Sequence, residues 1–180
     1  MTDKINPKDR LRYTRAEERE AVWFLGGRVE FMLTDEMTDG RIMLYHHVAI
    51  PGAQPPLHEH EGEDEIMIIT KGRMTFWAAD QVVTLGPGDC IVLPKDLPHT
   101  FRSEEGMETE YFVLTSPAAF EGFVREASEP ATHPGADLEF TMTPEREQRL
   151  HAAAKKHGVT LMAPPGTLPT DIPGGTEPVR

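Results

Sequence analysis

His58 and His60 stand two residues apart in the run Gly52-Ala-Gln-Pro-Pro-Leu-His58-Glu-His60-Glu-Gly-Glu-Asp-Glu65, which continues through an apolar stretch to Gly72. A second run begins at Gly88-Asp89 and passes Pro94 to reach His99. On an extended chain, residues two apart project to the same side, so the histidine pair offers two neighbouring ligands from one strand. Glu65 opens the next apolar run and His99 closes a later one. Neutral imidazole and carboxylate together suit first-row divalent metals: Fe, Ni, Co, Mn or Zn. Four such ligands fill a tetrahedral zinc site, or part of a larger sphere with room for substrate, water or oxygen. The spacing alone does not choose between the two.

These ligands converge only if the intervening segments are strands. Short runs rich in Val, Ile, Phe, Tyr and Thr recur at Arg28–Leu33, Arg41–Ile50, Leu57–His60, Glu65–Thr70, Arg73–Ala79, Gln81–Leu85, Cys90–Leu93, His99–Ser103 and Glu110–Thr115. Turn signals such as Pro51-Gly52, Lys71-Gly72 and Gly86-Pro87-Gly88-Asp89 separate them. Many short, evenly spaced strands predict an all-β sandwich or barrel. Glu65 is expected from the strand adjoining the histidine pair, and His99 from a partner strand in a closed antiparallel sheet. Period-two alternation then turns Met67 and Ile69 inward with Glu65, and Phe101 inward with His99. The expected pocket is polar at the metal and apolar around it, suited to a small, flat, largely apolar ligand rather than a sugar or phosphate.

Other residues receive plainer readings. Glu59, Glu61, Glu63 and Asp64 read as a solvated acidic loop. His46 and His47 are adjacent, so at most one faces the pocket. His133, His151 and His157 read as surface residues, and Cys90 as a buried, inert thiol. Trp23 and Phe24 suit either core or an interface. Ser116-Pro117 reads as the start of a helix whose Phe120, Phe123, Val124 and Ala127 form one apolar stripe. Thr143-Pro144 starts a second helix that stops at Gly158.

Composition narrows the classes. The chain has 180 residues and a formal net charge of -12, which argues against nucleic acid and anionic membrane surfaces. A single cysteine fits a reducing compartment, and the polar start MTDKINPKDR does not resemble a secretory signal. A cytoplasmic protein is the expectation. The organisation expected is a charged arm over 1–21, a β domain over 22–116, helices over 117–162 and a Pro/Gly-rich tail over 163–180.

At this point the residues resemble the cupin superfamily. Gly52-x5-His58-x-His60-x4-Glu65-x6-Gly72 matches its first motif, and Gly88-x5-Pro94-x-Asp96-x2-His99-x3-Ser103 resembles the second. Asp96 stands where glycine is usual and Ser103 where asparagine is usual. The resemblance implies a jelly-roll β-barrel with C-terminal helices outside it, and commonly a homodimer. A narrower likeness is carried by Val22-Trp23-Phe24-Leu25-Gly26-Gly27, Pro55-Pro56-Leu57-His58, Thr115-Ser116-Pro117 and His157-Gly158-Val159 through Ala163-Pro164-Pro165. It is similar to single-cupin bacterial proteins related to quercetin 2,3-dioxygenase. That implies a metal held by His58, His60, Glu65 and His99, a flavonol bound to it through the 3-hydroxyl, and ring opening by O2 with loss of carbon monoxide. Glu65 would be both ligand and base. The alternatives within the superfamily are a metal-dependent isomerase, lyase or decarboxylase, and a non-catalytic small-molecule-binding protein.

Overall fold

The computed structural model describes residues 11–173; residues 1–10 of the expected arm and 174–180 of the expected tail lie outside the described residues. In chain order the elements are β1 (Ala21–Phe24), β2 (Gly27–Leu33), α1 (Asp35–Thr38), β3 (Met43–Ala49), β4 (Leu57–His60), β5 (Asp64–Lys71), β6 (Met74–Ala78) and β7 (Gln81–Leu85). There follow β8 (Cys90–Leu93), β9 (His99–Ser103), β10 (Thr109–Ser116), α2 (Phe120–Ala127), β11 (Glu129–Pro130), α3 (Pro144–Lys156) and β12 (Val159–Ala163). The apolar runs identified in the sequence all become strands, β2 through β10, because their turn signals fall where the chain reverses.

The strands form a seven-stranded sheet, ordered β11-β1-β2-β3-β10-β5-β8, and a five-stranded sheet, ordered β12-β4-β9-β6-β7. Their inner faces share one apolar core. Every pairing is antiparallel. Among the described residues no ladder joins one sheet to the other, so the jelly roll is a two-layer sandwich rather than a hydrogen-bonded cylinder. Alternation sets the inner face: on β5, Glu65, Met67 and Ile69 are buried while Asp64 and Ile68 are exposed. On β10, Thr109, Tyr111, Val113 and Thr115 are buried. Gly72, in the β5–β6 turn, has φ +76°, and a Cβ there would lie 2.5 Å from the Glu108 carbonyl oxygen, so only glycine fits.

The C-terminal part departs from the expected layout. Ser116 ends β10 rather than capping a helix, the Ser116–Pro117 peptide is cis, and α2 begins at Phe120. Its stripe is nonetheless correct, with Phe120, Phe123 and Val124 buried against the core. The second helix starts as expected: Thr143 accepts a hydrogen bond from Arg146 N, and Pro144 occupies the first turn. The chain then forms β12, which pairs with β4 beside His58 and His60. That strand, and a 3-10 turn at Pro169–Asp171 with Pro169 buried, lie where helix and open tail were expected.

Cys90 is exposed, not buried. On β5 and β8, Glu65 pairs with Leu93 and Ile68 with Cys90, so Cys90 takes the outward parity of Ile68. Cys90 should therefore react with one equivalent of a thiol reagent in the folded protein; protection until denaturant is added would contradict this placement.

Candidate metal centre

Strand β4 places His58 and His60 on the inner face of the five-stranded sheet. His99, opening β9, is the cross-strand partner of His58. Glu65 arrives from β5, which belongs to the seven-stranded sheet. It thus faces the histidines across the interior, not from an adjoining hydrogen-bonded strand as expected. The β4–β5 turn carries the chain from one layer to the other. All four residues are buried, and each offers a ligand atom such that these atoms lie within 4.8 Å of one another. Ring centroids are 4.4 Å apart for His58 and His99, and 5.2 Å apart for His58 and His60. Glu65 Oε2 lies 3.4 Å from His99 Nε2.

The surrounding hydrogen bonds prepare these groups as ligands. His58 Nδ1 is 2.8 Å from the Pro56 carbonyl oxygen, and His99 Nδ1 is 2.8 Å from that of Leu97. A carbonyl can only accept, so both Nδ1 atoms carry the proton and both Nε2 atoms are left with a lone pair. Both ring nitrogens of His60, Glu65 Oε2 and His99 Nε2 are buried with no hydrogen-bond partner among the described residues. Buried polar atoms are normally paired, and a cation among these four side chains would satisfy them together. Burial lowers the His60 pKa to about 3, with His99 adding to the effect. Burial also lowers His58, followed by repulsion from His99 and His60. Neutral imidazole is the form that binds metal, so the donor set fits a divalent first-row ion.

The two motifs hold each other in place. Asp96 adopts the left-handed conformation, φ +60°, which aspartate tolerates better than most residues. Its amide donates to the His60 carbonyl at 2.9 Å, and its Oδ1 accepts from Gly62 N at 3.1 Å. Ser103 Oγ donates to the Ile50 carbonyl at 2.7 Å, and Thr100 Oγ1 to that of Pro55 at 3.0 Å. These bonds pin the loop that leads into His58. Both substitutions in the second motif therefore keep a structural role.

Of the acidic neighbours, Glu61 and Asp64 are exposed, but Glu63 is buried. Its Oε1 is buried with no hydrogen-bond partner among the described residues. Burial raises its pKa to about 7. The reading of Glu63 as part of a solvated loop is thus corrected: it shares the parity of Glu65 and follows it inward.

Beside the ligands lies a cavity of about 100 Å³, lined on one side by His58 and Glu65. Phe101 lines it; Met67 and Ile69 point inward as alternation requires but are fully enclosed in the core and do not reach it. Tyr45, His47 and Tyr111 line it as well. Phe120 stacks on the His60 ring at 4.7 Å and closes another wall. Of the adjacent pair His46 and His47, His47 is the one that faces the cavity, while nothing in the sequence marks Tyr111 or Phe120 as lining it. His46 points outward, with Nε2 3.2 Å from Glu110.

A family model described as a cupin domain matches residues 45–115, a span that contains all four candidate ligands. Residues 45–115 are similar to a cupin domain. The chain is 30% identical over 93 residues to the quercetin 2,3-dioxygenase of Bacillus subtilis (strain 168), covering 52% of this chain and 27% of that protein. The match thus spans about a quarter of the relative's length. Two solved structures show the same fold. A RmlC-like cupin from Shewanella frigidimarina has a TM-score of 0.51 at 15% identity, over 61% of this chain and 93% of that one. The oxalate decarboxylase of Lactobacillus farciminis, as its formate complex, has a TM-score of 0.51 at 17% identity, over 63% of this chain and 36% of that one. No described helix is long and apolar enough to cross a membrane.

The matched span does not close the cavity by itself. Phe24, Phe120, Phe123, Leu150 and Leu161 also line it, and all lie outside residues 45–115. Within that span, burial lowers the pKa of His47 from 6.5 to about 3, with His46 adding to this and Glu65 opposing it. An unfolded-chain imidazole accepts a proton near pH 6.5, whereas these buried ones do not until about 3. The unfolded state then binds more protons, so stability is full above pH 6.5 and falls as pH drops toward 3. Metal-free protein should lose on the order of 1–2 kcal/mol per such imidazole between pH 7.5 and 5. Urea unfolding at both pH values checks this, and His47→Phe should make the loss smaller. An equal loss in wild type and His47→Phe would refute the assignment.

Proposed function

We propose that this protein is a metal-dependent dioxygenase acting on a small enolisable aromatic substrate of the flavonol type. The observation that carries the reading is a buried three-histidine, one-glutamate cluster opening onto an apolar cavity. The likeness to a quercetin 2,3-dioxygenase supports it. His58, His60, Glu65 and His99 would hold Fe, Ni, Co or Mn, with Zn also compatible with the donor set. A bound metal would supply a Lewis acid that stabilises a deprotonated enol oxygen.

The chain's own residues do the rest. The Pro56 and Leu97 carbonyls keep His58 and His99 in the tautomer that can ligate. Glu65 Oε2, without a hydrogen-bond partner among the described residues, takes the proton from the substrate hydroxyl. Phe101, Phe120 and Phe123 exclude water and present apolar surface to an aromatic ring. Size refines the substrate class. An apolar cavity of roughly 150 Å³ accommodates benzene, so about 100 Å³ seats at most one ring. A three-ring flavonol would place its hydroxypyranone ring there and require the wall residues to yield around the remainder.

Oxygen uptake is the test, using protein loaded separately with Fe, Ni, Co and Mn and supplied with quercetin, 3-hydroxyflavone or maltol, whose single ring carries the same enolic hydroxyl and carbonyl. Uptake with at least one is expected. Metal-loaded protein that consumes no oxygen with any of them would overturn the dioxygenase reading. Turnover persisting without oxygen would select an isomerase, lyase or decarboxylase instead. Absence of stoichiometric metal after purification without added metal would point to a binding protein.

A further inference from the structure

Apart from the candidate ligands, several polar groups on the cavity wall are already committed within the protein. Ser103 donates to the Ile50 carbonyl, and the Gln54 side-chain amide reaches Thr100 Oγ1 at 3.4 Å. His47 differs. It stands directly opposite Tyr111 on β3 and β10, and its Nδ1 lies 3.1 Å from the Tyr111 hydroxyl. No hydrogen-bond partner of His47 Nε2 is found among the described residues. Tyr111 is 2% exposed, and His47 is the one partner of its hydroxyl among them.

Counting protons fixes the direction of this bond. A neutral imidazole carries one N–H and the phenol one O–H, and only one proton can lie between Nδ1 and the hydroxyl oxygen. If Nδ1–H donated, the Tyr111 proton would be left in the core without an acceptor, an arrangement that folded proteins avoid. Tyr111 therefore donates to Nδ1, and the imidazole proton resides on Nε2. Burial supports both protonation states, lowering the His47 pKa to about 3 and pushing that of Tyr111 up. Gly27 makes room for this edge of the ring: a Cβ there would lie 1.9 Å from His47 Nε2, and both residues line the cavity.

We propose that His47 Nε2–H is a second anchor in the ligand site, donating a hydrogen bond to an uncharged acceptor oxygen of an aromatic ligand, with Tyr111 as the positioning residue that holds its tautomer. This rests on the cavity being the substrate pocket, but not on the reaction being a dioxygenation. It defines a ligand with two polar points, one at the candidate metal ligands and one at His47, joined by an apolar ring. A ligand lacking the second acceptor leaves a buried N–H unpaired and is discriminated against for that reason.

The test uses the full chain as purified, titrated by NMR with acetophenone and with ethylbenzene, which has similar bulk but no acceptor. The ratio of the two affinities should move against acetophenone by about 3- to 10-fold in His47→Phe, the range of one neutral hydrogen bond. His47→Gln, whose amide restores an N–H, should recover part of it. Nitrogen-15 spectra of the histidine rings should show His47 as the Nε2–H tautomer in wild type and as a mixture in Tyr111→Phe. An unchanged affinity ratio in His47→Phe, or a wild-type His47 protonated on Nδ1, would overturn the proposal. If His47→Phe fails to fold, the tautomer measurement on wild type and Tyr111→Phe decides. Neither readout involves turnover, so a failure of the dioxygenase reading remains distinguishable from a failure of this one.

Discussion

His99→Ala is expected to leave the protein without stoichiometric metal and without metal-dependent activity. His99 is 1% exposed, its Nδ1 is fixed by the Leu97 carbonyl, and its Nε2 faces Glu65 and has no hydrogen-bond partner among the described residues. Loss of a residue that merely orients a ligand typically weakens metal affinity by 10- to 100-fold. Removing the ligand itself should cost more than about 100-fold. Metal analysis of protein purified without added metal checks content directly. Thermal unfolding supplies a second readout, because an ion that binds only the folded state raises its stability by mass action. Wild type should show a metal-dependent rise in Tm, and His99→Ala should not. A variant that binds metal as tightly as wild type would show that the four residues are not the ligand set.

Glu65→Gln should separate metal binding from chemistry. The glutamine amide matches the carboxylate in size and can still present an oxygen, but it cannot take up a proton from the substrate. If Glu65 is the base, turnover should fall by about 10²- to 10⁴-fold, the usual contribution of a positioned acid–base group. Metal content should stay near wild type, and KM should change much less than kcat. Oxygen uptake together with metal analysis reads both. Retention of wild-type turnover in a metal-replete Glu65→Gln protein would remove Glu65 from the proton-transfer role and leave it as a ligand alone.

Local pattern explains what could be read before folding. The strand runs were legible because turn residues bracket β-branched and aromatic segments, and the inward set on β5 followed from alternation. Glu63 was also legible in principle, since it lies two residues from Glu65 and extends the same parity inward. Its acidic neighbours mask that signal and make the segment read as a solvated loop. Strand β12 carried a weaker signal: five residues between a helix and a proline-rich segment, stabilised by pairing with β4 rather than by their own sequence.

The sequence by itself determined that His58 and His60 share one face of a strand, that Glu65 and His99 accompany them, and that apolar strands surround the set. Only the tertiary structure decided that Glu65 reaches the histidines from the opposite sheet. It also decided that His47 rather than His46 looks into the cavity, and that Cys90 looks out. The reason is common to all three. Alternation along a strand says that neighbours point in opposite directions, but which direction is inward is set by pairing with strands distant in the chain. Tyr111 opposite His47 and Leu93 opposite Glu65 are such pairings, and the spacing of residues along the chain does not contain them.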